Sequence, residues 1–412
     1  MLKKLAFQER SKTRAIKKIT SNGLARKKAI SFLVGVKTGL FNVKAESPQY
    51  TSDEMLSWRT TMKLKKYFAG EVYQGNNYGA GLALRTFSGM EKPIKACMEH
   101  GIYFGDYVNP AEAEGSGFPA LITYGTERAK RIQAYSNIPV LTVGPYIAYA
   151  NNYLCQEELR IAKAKLGRVL LTFPCHSTRD AVSSFSVDRF IKEIQHQKKT
   201  FDIDSVLVSV RDHDLLMGRA DAYEAAGFTV VTCGTSTDAN FLRRLRSLIT
   251  IADVTSSNGV GTHIGYCMYF GKPHILFNQD LRFVSRNQGY GRTSAGESDG
   301  QESEAMPAKR SIEFNSDEKT KSYLKTLDAD RTELAAVFST YSKTPTADQL
   351  RVCEKFWGFD CVRSAEYLRK CFAMFENAFA LGGWTSDKTI RKFFEDMTAC
   401  SLKGGSGFSR GC

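Results

Sequence analysis

The feature that most constrains the fold of this chain is the alternation of apolar runs and amphipathic segments between residues 167 and 280. The runs RVLLTF, DSVLVSV, FTVVT, ITIADVT and PHILF are almost continuously apolar, which is typical of strands buried on both faces of a parallel sheet. The segments between them, such as VDRFIKEIQ and TDANFLRRLRSLI, place apolar residues at helical spacing. The pattern therefore predicts a Rossmann-like domain with helices on both faces of its sheet.

The remaining segments predict a second α/β domain and a helical C-terminal part. In residues 1–150, the runs PIKACMEHG, ALITYG and PVLTVG predict short strands, and TERAKRIQAY predicts a helix between the last two. Residues 281–320 are polar and rich in Gly and Ser, which predicts a flexible loop. Residues 321–400 contain amphipathic segments that predict helices. We therefore expect an α/β protein with one Rossmann-like domain, a second α/β domain and C-terminal helices.

The charge of the chain favours acidic partners. It has 57 Lys and Arg against 43 Asp and Glu, a formal net charge of +14. Residues 1–30 are especially basic and carry one acid, Glu9, so this segment is either a solvated arm or a contact with an anionic membrane surface. The apolar run AISFLVGV is too short to cross a bilayer, and the ten cysteines show no CxxC spacing. These features predict a reduced, cytoplasmic protein that is either soluble or peripheral on the inner face of the cytoplasmic membrane.

A dense polar turn lies between the run ITIADVT and the following helical segment. In a parallel sheet this position is the carboxyl edge, where open α/β sheets bind ligands. The N-terminus of the next helix offers free backbone N–H groups and the positive end of its dipole, so the turn is suited to a phosphate or diphosphate. A simple N-cap and tight turn is the alternative. The residues that we predict to bind phosphate here are Ser256, Ser257, Asn258, Gly259, Gly261, Thr262 and His263.

Two further polar loops follow the first two strands of the same predicted sheet. They should open onto the same crevice because the strands are parallel. The residues that we predict to bind a phosphate, nucleotide base or sugar in these loops are His176, Ser177, Thr178, Arg211 and His213. The domain lacks a GxGxxG turn after its first strand and the chain has no GxxxxGK[ST] loop, which disfavours hydride transfer and P-loop hydrolysis. The sequence shows no carboxylate cluster typical of a metal site.

These motifs resemble the donor-binding half of GT-B-fold glycosyltransferases of bacterial surface-polysaccharide synthesis. That group includes capsule and lipopolysaccharide transferases and the teichoic-acid glycerophosphate polymerases. The resemblance rests on FPCHST and on FLRRLRSLITIADVTSSNGVGTHIGYCMYFGKPHI in one half, and on MEHGIYFGD, LITYGTERAKRI and IPVLTVGPYIAY in the other. It covers about residues 60–280 and implies two Rossmann-like domains facing a cleft, followed here by C-terminal helices. The donor-side half, residues 167–280, has no EX7E pair of the retaining class, and the HP dipeptide of bacterial polysialyltransferases is absent, since His176 is followed by Ser177.

The resemblance implies an inverting, metal-independent transfer from a nucleotide-activated sugar to a glycan or glycolipid acceptor. The nucleotide sugar would be a co-substrate, with no further cofactor, and no specific nucleic-acid partner is expected. In such enzymes the acceptor-side domain supplies a base from a loop after a strand, and the sequence Glu99, His100, Gly101 matches that loop. We therefore expect His100 to be the general base. Glu99 and Asp106 are the alternative bases, or the carboxylates that orient the imidazole.

Two other functions fit parts of the pattern. The first is a nucleotide-sugar 2-epimerase of the same fold, although its Asp-Ser-Gly-Gly run is absent. The second is a non-enzymatic nucleotide-binding or nucleic-acid-binding protein. The high positive charge favours the second, whereas the aromatic residues are not interleaved with the basic segment as stacking platforms would be.

Overall fold

The computed structural model describes residues 51–63, 78–114, 116–178, 181–285 and 318–403. Within them the chain is an α/β protein with parallel sheets, as the sequence predicts, and about half of it is helical. The basic residues 1–30, most of the predicted flexible loop and the C-terminal tail lie outside the described residues. None of the described helices combines the length and the hydropathy needed to cross a bilayer.

The described strands form three sheets. The strands are β1 Cys97–Met98, β2 Leu121–Thr123, β3 Val140–Thr142, β4 Val169–Phe173, β5 Ala181–Ser184, β6 Ser205–Ser209, β7 Thr229–Val231, β8 Val254–Ser257, β9 His274–Leu276 and β10 Arg282–Ser285. The α-helices are α1 Ser52–Leu56, α2 Trp58–Lys63, α3 Ala80–Ser88, α4 Pro110–Ala113, α5 Thr126–Tyr135, α6 Gln156–Leu166, α7 Val187–Thr200, α8 Asp212–Leu215, α9 Ala220–Ala225, α10 Phe241–Ile251, α11 Thr262–Tyr269, α12 Glu318–Phe338, α13 Ala347–Trp357, α14 Ala365–Ala380 and α15 Lys388–Lys403. Short 3-10 helices span Tyr146–Tyr149 and Phe359–Cys361.

The larger sheet has five parallel strands in the order β7-β6-β4-β8-β9. This order is compatible with the predicted Rossmann-like fold. The chain leaves β4 toward β6 on one side and leaves β8 toward β9 on the other. The boundary between β4 and β8 is therefore a topological switch point, and loops that follow these two strands diverge to leave a crevice.

The smaller parallel sheet has the order β1-β2-β3, with α5 connecting β2 to β3. A separate antiparallel pair, β5 with β10, was not apparent from the sequence. It forms where the chain after β4 meets the chain after β9.

One contiguous cluster of buried side chains includes residues of both parallel sheets and of the C-terminal helices. Leu141 of β3, Leu171 of β4 and Phe375 of α14 all belong to it. Tyr124, which follows β2, lies with its hydroxyl 3.0 Å from the hydroxyl of Tyr266 on α11. The two sheets are thus joined through buried contacts that fix the loops at their carboxyl edges.

Candidate functional site

The N-terminus of α11 lies at the switch point, as the polar turn predicts. Gly261 is the N-cap residue and has no side chain with which to cap the helix. A Cβ atom on Gly261 would lie 3.0 Å from the ring of His263, so the glycine allows the imidazole to fold back over the first turn. The amide of Ile264 donates to the carbonyl of Gly261, whereas the amides of Thr262 and His263 at the start of α11 have no side-chain cap from Gly261, which suits an anion.

His263 is held against the end of β4. Its ring stacks on Phe173 with a centroid separation of 4.7 Å, and its Nε2 is buried with no hydrogen-bond partner among the described residues. Burial lowers the pKa of His263 to about 3, so the ring is neutral at pH 7. A neutral imidazole contributes a single N–H donor and no charge. An unpaired buried polar atom is costly, which makes this nitrogen a candidate for contact with a ligand.

The loops after β4 and β6 bring more polar groups to the same crevice. Desolvation by surrounding protein atoms lowers the pKa of His176, and the positive charge of Arg211 acts in the same direction. His263 and His213 also act on His176 with the same sign. Arg211, His213 and His263 therefore lie within electrostatic range of His176, as predicted from their positions after parallel strands. Among them Arg211 is the permanent cation.

Arg211 is set in an aromatic frame that the sequence did not reveal. Its guanidinium lies 5.2 Å from the ring centroid of Tyr78 and 5.5 Å from that of Phe241. The two rings are 4.7 Å apart. Tyr78 has a positive φ of 65°, a strained conformation for a non-glycine residue, and its amide donates to the carbonyl of Ser236. Such packing fixes the guanidinium in place before any ligand arrives.

The loops after β4 and β8 touch each other directly across the switch point. The amide of Cys175 donates to Oδ1 of Asn258 over 2.6 Å, while Nδ2 of Asn258 is buried and unpaired among the described residues. A Cβ atom on Gly259 would lie 3.1 Å from Leu281 and 3.4 Å from Cys175. Gly259 therefore accommodates protein side chains, rather than the close ligand approach predicted for it. Gln279, two residues beyond Phe277, also has both amide atoms buried and unpaired.

Two predicted phosphate ligands are engaged within the sheet. Ser256 donates to Oγ1 of Thr172 on β4 over 2.9 Å. The hydroxyl of Ser257 lies 3.0 Å from Nε2 of the buried His274, whose Nδ1 lies 2.9 Å from the hydroxyl of Thr255. Both serine hydroxyls thus have hydrogen-bond partners inside the protein. The geometry therefore assigns Ser256 and Ser257 structural roles rather than the ligand contacts predicted for them.

The predicted ligands Ser177 and Thr178 are likewise engaged by the protein. The amide of Ser177 donates to the carboxylate of Asp214, and its hydroxyl accepts from the amide of Ser183. The hydroxyl of Thr178 accepts from the amide of Ala181 at the start of β5. Both residues shape the turn that leads from β4 into β5. Ser177 is buried, whereas His176 and Thr178 are exposed.

The loop after β1 contacts the N-terminus of α11. The amide of Ile102 donates to Oγ1 of Thr262 over 3.0 Å. A Cβ atom on Gly101 would lie 3.1 Å from the same hydroxyl oxygen. The carboxyl edges of the two parallel sheets therefore meet at Thr262, and the loop that carries His100 borders the crevice that contains His263.

His100 belongs to a short chain of polar groups. Its Nδ1 lies 3.3 Å from the hydroxyl of Tyr103, which in turn donates to Oε1 of Glu112 over 3.5 Å. When the hydroxyl directs its one proton to the carboxylate, it accepts from an N–H at Nδ1, and Nε2 of His100 is then the proton acceptor. The side chain of His100 is 36% exposed, so the group can meet a substrate.

The carboxylate that orients His100 is therefore Glu112, rather than Glu99 or Asp106. Glu99 is 1% exposed and is held by Arg128 over 2.5 Å and by the hydroxyl of Thr123 over 2.6 Å. Its lone pairs are occupied by a buried ion pair, so the geometry assigns it a structural role and not that of a base. No spacing rule links Glu112 to His100, since α4 and the loop meet only in the folded chain.

Asp106 faces a different partner. Its carboxylate lies 3.8 Å from the guanidinium of Arg131, and its own amide donates to Thr326 of α12. Arg131 also pairs with Asp330 over 2.5 Å, and Asp330 accepts from the amide of Gly105 over 2.7 Å. Helix α12 thereby fastens the far end of the loop that starts at His100.

Trp357, the last residue of α13, contacts the N-terminal half of α11. The indole N–H donates to the carbonyl of Thr262 over 3.1 Å. A Cβ atom on Gly265 would lie 2.2 Å from the indole ring. Position 265 must therefore be glycine for the Trp357 ring to pack against α11 in this way.

Within the described residues, His, Cys, Asp and Glu form no cluster that could hold a metal ion. Searches among known proteins find no family model that the chain matches and no curated protein to which it is significantly similar. The chemistry of the site is therefore argued from its geometry.

Proposed function

We propose that the chain is a GT-B-like glycosyltransferase. It would move a sugar from a nucleotide-activated donor to a glycan or glycolipid acceptor in surface-polysaccharide synthesis, with inversion at the anomeric carbon and without a metal. The proposal includes the finer architecture, in which two Rossmann-like domains face one cleft.

The observation that carries the proposal is the contact between Ile102 and Thr262. It supports a single site built from the carboxyl edges of two parallel sheets. One side offers an uncapped helix N-terminus and Arg211, which suit a nucleotide phosphate. The other side offers His100, whose Nε2 suits a hydroxyl proton. A donor and an acceptor require that pairing of groups.

In the proposed reaction, Nε2 of His100 removes the proton from an acceptor hydroxyl as its oxygen attacks the anomeric carbon of the donor. The bond between that carbon and the phosphate oxygen breaks, and the electron pair leaves with the nucleotide. Arg211 and the first N–H groups of α11 stabilise the leaving charge. Tyr103 and Glu112 keep the imidazole in the tautomer that accepts a proton.

The proposal places the protein in the cytoplasm, at the inner face of the cytoplasmic membrane. Its support is the basic segment 1–30, which could hold the enzyme near a glycolipid acceptor. Sedimentation with vesicles checks this: binding should require acidic lipid, fade as salt rises and disappear when residues 1–30 are deleted.

The experiment that tests the donor site is a titration with CMP, CDP, UDP and GDP, followed by calorimetry and thermal unfolding. At least one nucleotide should bind and raise the melting temperature by mass action. Arg211→Gln should weaken that binding by about tenfold or more, because a hydrogen bond to a charged group is worth about 1.5–3 kcal/mol. The control is Arg160→Gln, whose exposed guanidinium pairs with Glu157 on α6. Absence of binding by all four nucleotides, or equal binding by Arg211→Gln, contradicts the assignment.

A further inference from the structure

A cavity of about 520 Å³ lies at the amino edge of the three-stranded sheet, opposite the carboxyl edge that carries the candidate site. Phe118 precedes β2 and Ile138 precedes β3, and both line it. The loop between α14 and α15, which contains Trp384, closes the other side. This volume is within the range of small-molecule sites.

The walls of the cavity combine aromatic rings with short polar side chains. The side chain of Tyr135 is 46% exposed and Trp384 is partly exposed. Behind them Phe118 stacks on Phe379 with ring centroids 5.4 Å apart. Exposed aromatic rings in a concave wall are a costly surface to leave in water, and they suit a ligand that has a flat apolar face.

The charge of the lining narrows the class of ligand further. The described lining residues include Glu114 but neither Lys nor Arg, although the whole chain has a net charge of +14. Asn137 and Thr385 add uncharged donors and acceptors. The nearby cations Lys95 and Arg391 contact the ring of Phe379 and the carbonyl of Thr385 and do not line the cavity themselves, whereas Glu114 does. A phosphate or nucleotide in the cavity would therefore meet a carboxylate directly. The cavity therefore favours an uncharged ligand.

We propose that this cavity binds an uncharged saccharide. Sugar rings have apolar C–H faces that can lie on Trp384 and Tyr135, and their hydroxyls can pair with the polar groups between them. The inference goes beyond the proposed transfer reaction and stands independently of it, because the cavity shares no residue with the crevice at α11.

The protein provides its own reporter for this site. Of its three tryptophans, Trp357 is fully buried and Trp58 donates to the carboxylate of Glu224, so Trp384 is the indole that lines the cavity. The test titrates the full chain with maltotriose, N,N′,N″-triacetylchitotriose, galactobiose and mannobiose, measuring tryptophan emission and calorimetric binding. At least one of these sugars should bind and change the emission.

Variants separate this cavity from other sites. Trp384→Ala and Tyr135→Ala should each weaken calorimetric binding about fivefold to tenfold, the usual scale of an aromatic contact. Trp58→Phe is the matched control and should keep both the affinity and the emission change. The proposal is overturned if none of the four sugars binds, if both alanine variants bind as the wild type does, or if an oligogalacturonate binds more tightly than the neutral sugars.

Discussion

The amide of Ile102 donates a hydrogen bond to the hydroxyl of Thr262 over 3.0 Å, and this bond joins the loop after β1 to the N-terminus of α11. The two residues are 160 positions apart in the chain. The contact sets the loop that carries His100 beside the helix that carries His263. The proposed transfer reaction depends on this arrangement, because it requires a base and an anion-binding helix at one site.

The bond itself can be removed with little change in volume. Thr262→Val leaves the amide of Ile102 without its acceptor, so the free energy of unfolding should fall by about 1–3 kcal/mol. Thr262→Ser keeps the hydroxyl and should lose clearly less. Urea denaturation of the three proteins measures both differences. A valine variant as stable as the wild type would mean that the contact adds nothing to the joint between the sheets.

The helix on the other side of Thr262 should be sensitive to overpacking. Gly265→Ala places a methyl group 2.2 Å from the Trp357 ring, so it should destabilise the fold by about 3 kcal/mol or more. Gly227→Ala is the control, since its surroundings are open and the cost is limited to the strain of φ at +78°, about 1–2 kcal/mol. Thermal unfolding ranks the two. A smaller loss of stability for Gly265→Ala than for Gly227→Ala would contradict the packing of the Trp357 ring against Gly265.

The sequence predicted the framework of the larger sheet because each of its strands is a short apolar run. The strand ends and the helices between them follow from periodicity, and Gly227 and Gly271 lie directly after helices as their positive φ angles require. The rule that loops after parallel strands share one edge of the sheet also predicted that His176, Arg211 and His263 lie close together. These inferences depend on local pattern and on the parallel arrangement alone.

The partners of individual polar side chains could not be predicted. Ser257 is a plausible phosphate ligand by type and position, but its hydroxyl is hydrogen-bonded to His274 on the neighbouring strand. Glu112 has no sequence relationship to His100, and Tyr78 reaches Arg211 from a distant segment. Periodicity identifies which face of an element is buried, without identifying what covers it. The shared core of the two sheets was missed for the same reason.

The neutral histidines predict a specific dependence of stability on pH. Burial lowers the pKa of His263 to about 3 and that of His274 well below its usual value. In the unfolded chain a histidine titrates near about 6.5, so the unfolded chain takes up protons that the folded chain does not as the pH falls below that value. The contribution of the neutral rings is therefore complete above about pH 6.5 and is lost as the pH falls.

Urea denaturation between about pH 6.5 and pH 5, above the carboxylate range, should show this loss. His263→Gln should reduce the slope of unfolding free energy against pH by up to about 1.4 kcal/mol per pH unit. His196→Gln, at an exposed position on α7, is the matched control. An unchanged slope in His263→Gln would show that this ring takes up its proton in the folded protein over the same pH range as in the unfolded chain.

The chain from His100 through Tyr103 to Glu112 predicts a graded effect on turnover. Glu112→Gln keeps the shape but replaces the carboxylate, and Tyr103→Phe removes the bridging hydroxyl, so each should lower the turnover number by about tenfold without weakening nucleotide binding. Loss of the base itself costs about 10²–10⁴. Glu114→Gln is the control, since this carboxylate lies past the end of α4 at the opposite cavity. Equal turnover in Glu112→Gln, Tyr103→Phe and Glu114→Gln would show that the contacts of Tyr103 and Glu112 with His100 do not contribute to catalysis.

The central claim, that Thr262 marks one transfer site shared by two sheets, is tested most directly by acceptor-dependent release of nucleotide. The nucleotide that binds in the titration series would be supplied as its sugar conjugates, with a membrane glycolipid extract as acceptor, and free nucleotide would be measured over time. The account predicts release that requires the acceptor, falls by about 10²–10⁴ in His100→Ala and leaves nucleotide affinity unchanged in that variant. Release at the wild-type rate in His100→Ala, or no acceptor-dependent release with any conjugate, would contradict it.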